Sequence, residues 1–572
     1  MAKKRPIWPP SHVTYEFVTV LRDGIKAQNR KMYEDMHSAE RAYDGDIDLG
    51  IVLPAGAPSH IPSRAMAKCD GAAAHIISDF PRVDIRTPGV GSRAVKRQEL
   101  LREACTYALE QLTATSEENV WSEAKFDLVL LGSACIKVVF DEDSWPDPPE
   151  RGASDADLEE WRKERRSAWP FDTFTVHPGS VQVSPDRSWP HKFVIETQKR
   201  TAVDMWTRYP HWRDPQAKDK NPAREIQWVE YWDDINYIAW GDGVEVFRKS
   251  NTHKCPPYIW VGVTRGRRGL GAKGILGGAV MSQVRAEARL MTLLDLLWQL
   301  DVFPRLLANK DEASSLQDSW NTGPGGILPV ERVAGDDKSV EWLDMPQLNA
   351  AMFQFLPMVQ QSIEDATYNP ALMGDRPTGV DYGVHQAMLI GQARQALHPF
   401  VSALNRLGSM WVNMILRYMD TILDESIQLP SGARLDNSDI DGFYQARVVF
   451  EAVSQEEDDR RVSLGLQVLN AEAESHRTVL SKYFKHENPS SELAQWGAEK
   501  VVRQLLETGE VARIAMESAG MEIAEEEIAG ETKTAALNLR KRAVGELGNR
   551  LQPGQGPTLG TLRGETTEGA GA

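Results

Sequence analysis

The chain has 572 residues, 41% of them hydrophobic and 26% charged. At roughly 150 residues per average domain, two to four packed units are expected, and this composition excludes a disordered or collagen-like chain over most of the length. The formal charge of −17 argues against a protein that wraps DNA by neutralising phosphate. It suits one that stays soluble, or that lets a polyanion pass without holding it.

Residues 13–43 read as a helix, with Met and Tyr at helical spacing. A Pro/Gly-rich loop from Leu53 ends it, residues 63–78 are helical again, and Arg82-Val-Asp-Ile-Arg alternates as a short strand. Residues 95–130 form a long helical block, its Leu100, Leu101, Ala104, Ala108 and Leu112 recurring near a period of 3.6. After Gly132 the run Ala134-Cys-Ile-Lys-Val-Val-Phe is a strand. Residues 142–167 are a polar insertion with a short charged helix. From 172 to 263 short β-branched and aromatic runs predict a mostly antiparallel region, with Gly241-Asp-Gly as a hairpin tip and a helix near 202–208.

Beyond Gly274 the pattern turns helical. Residues 275–300 are apolar nearly all round, a helix of about 40 Å that needs neighbours on every side. Pro304 closes it. An irregular module follows, with strands at Ile327-Leu-Pro-Val and Ser339-Val-Glu-Trp-Leu. A helix then starts at Pro346, where a first-turn proline is at home, and runs to about Tyr368. The loop 369–384 is polar and punctuated by Gly and Pro, and loops of that length are functional or disordered. Residues 385–425 are a second long helix, with Pro399 inside it predicting a kink. A late strand lies at 446–451, an acidic helical stretch at about 455–547, and a Gly/Thr-rich tail after Gln552.

Chemistry-bearing motifs are scarce. Cys69, Cys105, Cys135 and Cys255 stand too far apart for a CxxC motif and fit a reducing cytoplasm as small buried hydrophobes. No signal peptide is expected, since no apolar segment follows Lys3, Lys4 and Arg5. The most apolar stretch carries Arg285, Glu287, Arg289 and Asp295, too many charges for a membrane span of about 20 residues. Gly269-Leu-Gly-Ala-Lys-Gly matches GxGxxG, but no strand is expected after the helix and Asp295 falls mid-helix, so dinucleotide binding is rejected. There is no P-loop, HExxH or GxSxG, and no cofactor or metal is expected. Glu456, Glu457, Asp458 and Asp459 are the carboxylates an unrecognised hydrolase or nuclease would use. They also open a helix, where acidic residues complement the dipole.

The order of elements from Gly274 onward resembles that of phage portal proteins. The resemblance rests on the Gly-rich lead-in, the long apolar helix ending in Val302-Phe-Pro-Arg-Leu, and Gly323-Pro-Gly-Gly-Ile-Leu-Pro-Val. It continues with Asn369-Pro-Ala-Leu-Met-Gly, the long helix with Ala396-Leu-His-Pro-Phe, and the run from Glu474-Ser-His-Arg to Asn488-Pro-Ser-Ser-Glu. Gly132-Ser-Ala-Cys-Ile-Lys-Val and Val176-His-Pro-Gly-Ser-Val-Gln-Val-Ser-Pro-Asp agree more loosely. The resemblance covers about residues 30–530.

It implies an α+β fold assembled as a ring. Residues 1–273 would be a β-rich wing, 274–300 and 346–368 two stem helices, and 301–345 the clip between them. Residues 369–384 would be a tunnel loop, 385–453 a kinked channel helix and a late wing strand, 454–548 a helical crown, and 549–572 a disordered tail. The loop would present Asn369, Asp375, Arg376, Thr378, Gly379, Asp381 and Tyr382 to DNA, although one arginine beside two aspartates also describes an ordinary solvated loop. Phe303, Arg305, Lys310, Trp320 and Trp342 of the clip would dock terminase or a head–tail adaptor, the local-core reading standing beside it. Arg265, Arg267, Arg268 and Lys273 before the stem would meet phosphates or acidic partners, or simply solvent.

The implied partners are further copies of the chain, typically twelve in this family, double-stranded DNA, the terminase large subunit, a head–tail adaptor, and the major capsid and scaffolding proteins. The implied place is the virion, with the host cytoplasm during assembly, and the implied role is not enzymatic. A generic head or tail structural protein, without a closed ring, is the third reading.

Overall fold

The computed structural model describes residues 12–53, 59–76, 81–85, 92–115, 119–141, 149, 154–186, 189–219, 221–263, 270, 272–302, 306–309, 327–330, 340–342, 350–368, 383–423, 427–450, 455–471 and single positions between 476 and 500. The chain divides into a unit of residues 1–453 and a second of 454–572. Within the described residues the first unit is mixed α and β.

Helices α1 (Tyr15–Gln28) and α2 (Arg30–Tyr43) replace the single helix expected over 13–43. The break is Asn29, whose φ of −109° and ψ of 18° leave the helical region. Its Nδ2 donates to the Ile25 carbonyl and its Oδ1 accepts from the Leu270 amide at 2.9 Å. The bend sends the two helices to different cores. Val18 and Ile25 of α1 pack on one sheet face, while Met32, Met36 and Ala39 of α2 join the main core. Helix α3 (Arg64–His75) and β1 (Arg82–Asp84) follow.

The block expected over 95–130 is likewise two helices, α4 (Ser92–Thr115) and α5 (Val120–Leu130). The Asn119 side chain caps α5 by accepting from the Trp121 and Ser122 amides, which satisfies orphan donors of the first turn. Strand β2 (Ser133–Phe140) leads to α6 (Asp155–Ser167), opened by a capping box of Ser154 and Asp157. Then come β3 (Phe171–Val176), β4 (Val181–Val183), β5 (Phe193–Thr201), α7 (Ala202–Arg208), β6 (Glu225–Asp233), β7 (Asn236–Gly241), β8 (Val244–Ser250) and β9 (Tyr258–Gly262).

These strands form two antiparallel sheets, one of order β3-β2-β9 and one of order β4-β5-β6-β7-β8. The β7–β8 tip is Asp242 and Gly243, both at positive φ, as a tight two-residue hairpin turn requires. Helix α1 covers one face of the five-stranded sheet through Ile195, Val229, Tyr231 and Ile238, and α7 packs with Ile226, Trp228 and Ala239.

The apolar helix of the second half is α8 (Ala279–Val302), which begins later than the sequence suggests. Gly278 at φ +65° interrupts the lead-in, and Gly274 is pressed against α5, where a Cβ would come within 2.1 Å of the Leu130 carbonyl oxygen. Strands β10 (Leu306–Asn309), β11 (Ile327–Val330) and β12 (Val340–Trp342) make a small sheet of order β11-β10-β12. Strand β10 was not legible in the sequence. Helix α9 (Ala350–Ala366) carries Pro357 within it, a feature sequence reading missed, and residue 346 lies outside the described residues.

Helix α10 (Gly383–Thr421) runs unbroken through an exposed Pro399. The small hairpin of β13 (Ile427–Gln428) and β14 (Arg434–Leu435), the one-turn α11 (Asn437–Ile440) and β15 (Arg447–Val449) complete the unit. Strand β15 pairs with β1, and its other edge faces α10. There Asn405 Oδ1 accepts from the Phe450 amide, Ser409 Oγ from Val448, and Asn413 Oδ1 from Ala446, at 2.7–2.9 Å. Four helical residues advance about 6 Å and two strand residues about 6.6 Å. Side chains spaced by four on the helix therefore match amides spaced by two on the strand. The second unit contains α12 (Gln455–Asn470), which opens with Glu456, Glu457, Asp458 and Asp459.

Candidate functional site at the base of a two-helix arm

Helices α8 and α9 pack antiparallel: Gln283 Nε2 donates to Ser362 Oγ, and Gln360 Nε2 donates to Glu287 Oε1 at 2.9 Å. The N-terminal half of α8 is well covered, with Val280, Val284, Glu287, Ala288 and Thr292 buried. Past Thr292 the helix is only half covered. Trp298 is 67% exposed, and on α9 Phe353 and Met358 are 56% and 67% exposed. The all-round burial expected of this helix is therefore not met within one chain.

A strap from the N-terminal region crosses the covered half. Arg289 Nε donates to the Leu49 carbonyl at 2.8 Å. The His60 amide donates to Thr292 Oγ1, and His60 Nε2 lies 3.0 Å from Asp295 Oδ2. Helix α3 then inserts two cations one turn apart. Arg64 Nε is 3.0 Å from Glu287 Oε1 on α8, and its Nη1 is 3.2 Å from Glu364 Oε1 on α9. Glu287 is almost fully buried, and a carboxylate removed from water needs such a partner to stay charged.

Lys68, also buried, donates from Nζ to the Tyr368 carbonyl at 3.3 Å and sits 4.3 Å from the centre of the Tyr368 ring. Tyr368 Oη donates back to the Lys68 carbonyl at 3.1 Å. Together with Ser63, Gln360 and Met291 these residues line a cleft of about 480 Å³. Its charged lining is balanced, Arg64 and Lys68 against Glu287 and Glu364. Each of these four is engaged with a neighbouring element, an arrangement suited to holding three helices together.

A second buried charge cluster joins the two large sheets. Lys137 of β2 reaches Glu230 Oε2 of β6 at 2.8 Å and Glu196 Oε2 of β5 at 3.0 Å. Tyr258 Oη donates to Glu196, and the indoles of Trp228 and Trp232 donate to Glu230 at 2.8 and 3.0 Å. Burial alone would raise the Glu230 carboxyl, but the Lys137 ammonium and the two indoles hold it down at about 2. Burial opposes the charge on Lys137, and Glu230 and Glu196 outweigh it, so its pKa is raised. A third cluster gathers His37 and Glu40 of α2, Glu123 and Asp127 of α5, and His177 after β3. His177 Nε2 lies 2.5 Å from Glu40 Oε1.

The residues singled out in the sequence are placed unevenly. Asn369, Asp375, Arg376, Thr378, Gly379, Asp381 and Tyr382 lie outside the described residues, as do Phe303, Arg305, Lys310, Trp320, Arg265, Arg267 and Arg268. Trp342 sits in β12 opposite Leu306. Lys273 is exposed just ahead of α8. In the GxGxxG stretch Gly274 serves close packing, and among the described residues β9 before it pairs antiparallel with β2. Arg64, Lys68 and Tyr368 were not picked out as a group, because 223 and 300 residues separate the partners. Glu287 had left a signal, as one of four charges with Arg285, Arg289 and Asp295 in the most apolar stretch of the chain.

No family model matches the chain, and no curated protein matches it either. Among the described residues no group of three or more His, Cys, Asp or Glu is placed to hold a metal, and no helix is long and apolar enough to cross a membrane.

Proposed function

We propose that the protein is a portal-type subunit, a member of a homo-oligomeric ring that conducts double-stranded DNA through one vertex of a phage capsid. The observation that carries this reading is the arm. Two antiparallel helices are joined by a small β module and leave Trp298, Phe353 and Met358 uncovered. Uncovered aromatic and Met side chains on a pair of packed helices mark an interaction surface. Neighbouring copies arranged about a rotation axis would cover them repeatedly.

On this reading α8 and α9 form the stem, the module at 301–345 is the surface that terminase and then a head–tail adaptor engage, and 369–382 faces the DNA. Major capsid and scaffolding proteins surround the ring in the virion. An acidic chain guides DNA passively: repulsion keeps the duplex centred, and a separate ATPase supplies the work.

The test is the native mass of the purified chain together with negative-stain images. A closed ring with a central hole supports the proposal, and Trp298→Ser with Met358→Ser should shift the population toward monomer without unfolding it. A wild-type chain that stays monomeric or dimeric at micromolar concentration rules the proposal out.

A further inference from the structure

Helix α9 ends at Ala366, and two residues later Tyr368 is the last described position before the segment 369–382. Tyr368 is itself buried. Its carbonyl and ring are held by Lys68 and its hydroxyl by the Lys68 carbonyl, so backbone and side chain are fixed by one residue. One turn earlier on α3, Arg64 ties Glu287 to Glu364 across α8 and α9. The Thr367 amide and hydroxyl both fold back onto α9, at Ile363 and Glu364. The end of the arm is thus bound at several points to a helix nearly 300 residues away in sequence.

We propose that Arg64 and Lys68 are positioning residues: as a two-pronged bracket on α3 they set the place and direction in which the chain leaves the arm at Tyr368. The proposal rests on the portal reading for its consequence, since there the segment after Tyr368 is the one that meets DNA. The bracket itself stands on the contacts alone. Arg64 sets the spacing of the two helices, because without it Glu287 and Glu364 face each other across α8 and α9 with no shared cation. Lys68 sets the exit.

The experiment uses the full chain. Its four native cysteines are all buried, so Ala371→Cys gives a single reactive thiol for a fluorophore three residues beyond Tyr368. In Lys68→Met the amides of 366–368 should exchange roughly tenfold faster, as expected when a hydrogen bond from a charged group is lost, and the fluorophore anisotropy should fall. Lys68→Arg should recover much of both, because it keeps a cation within reach of the carbonyl and the ring. A melting temperature and native mass close to wild type identify variants that still fold and assemble. Where Lys68→Met fails that check, Tyr368→Phe, which removes only the hydroxyl, is read in its place.

Unchanged exchange and anisotropy in a folded Lys68→Met or Tyr368→Phe chain overturn the bracket, whatever the assembly state. Absence of a ring in the wild-type chain sinks the portal reading and leaves the anisotropy result to decide the bracket by itself.

Discussion

Lys137 on the three-stranded sheet and Glu230 on the five-stranded sheet meet at 2.8 Å in the interior, and together with Glu196 they are the polar seam between the sheets. Removing one partner of such a pair leaves a buried charge without compensation, at a cost of about 3–5 kcal/mol. Lys137→Met is therefore expected to lower unfolding stability by that order in urea titrations, and Lys137→Met with Glu230→Gln by less. Because Glu230 is held well below its unfolded value of 4.5, its contribution is complete above pH 4.5. It is lost as the pH falls toward 2.

The cluster between α2, α5 and the turn after β3 has the opposite pH response. Burial raises Asp127 to about 7, with repulsion from Glu123 and Glu40 adding to it. The hydrogen bond to Glu40 raises His177. A group whose folded pKa is raised contributes stability at low pH and loses it as the pH climbs through the folded value. As the pH rises toward 7 Asp127 ionises beside the carboxylates of Glu40 and Glu123, and His177 discharges only at a higher pH than a free imidazole. Melting temperature should fall between about pH 4 and 7, the interval from the unfolded to the folded value of Asp127, and Asp127→Asn should flatten the fall and raise stability at pH 8 by roughly 2–4 kcal/mol. A fall of equal depth in Asp127→Asn would remove that residue from the account.

Two glycines should respond in opposite directions to the same change. Gly132 has φ +76°, and a Cβ there would lie 2.2 Å from the Lys273 carbonyl carbon. Gly132→Ala must therefore push apart the β2 start and the lead-in to α8, and loss of soluble folded protein is expected. Gly24 lies inside α1, and a methyl added there would meet nothing within 4 Å. Gly24→Ala should gain roughly 0.5–1 kcal/mol from helix propensity, readable as a higher melting temperature.

The helix-to-strand ladder on α10 gives a graded prediction. Asn413 both accepts from the Ala446 amide and donates to its carbonyl, whereas Ser409 accepts from the Val448 amide but donates within the helix, to the Asn405 carbonyl at 2.6 Å. Unsatisfied buried amides cost about 1–3 kcal/mol each. Asn413→Ala should cost more than Ser409→Ala, and both should speed hydrogen exchange in β15 more than in β2. Equal exchange in the two strands would show that the ladder does not hold β15 in place.

Local pattern carried the β region well: the runs around Val194, Trp228, Ile238 and Ile259 are strands where alternation and β-branching put them, and the helix near 202–208 is α7. Breaks inside helical stretches were harder to see. Asn29 is compatible with a continuing helix, and what favours the bend, its contact with Leu270 and the separate cores that α1 and α2 enter, is distant in sequence. The late start of α8 depends on how closely Gly274 meets Leu130, which no one-dimensional spacing records. The brace at the arm followed the same rule. Its cations and carboxylates are ordinary surface residues by composition, and they become a site only when α3 reaches α8 and α9.

The pairing of Arg82–Asp84 with Arg447–Val449 has a consequence for synthesis. A ribosome adding about 5–20 residues per second takes roughly 20–70 s to travel from one strand to the other. Throughout that interval β1 lacks its partner strand, and Trp121 awaits its edge-on contact with Trp411 and its tilted contact with Phe450. The nascent chain is thus open along this edge until nearly four-fifths of it has been made. Closure of the first unit waits on residues 447–449, so a product terminated before them lacks β15 and the strand pair that it makes with β1.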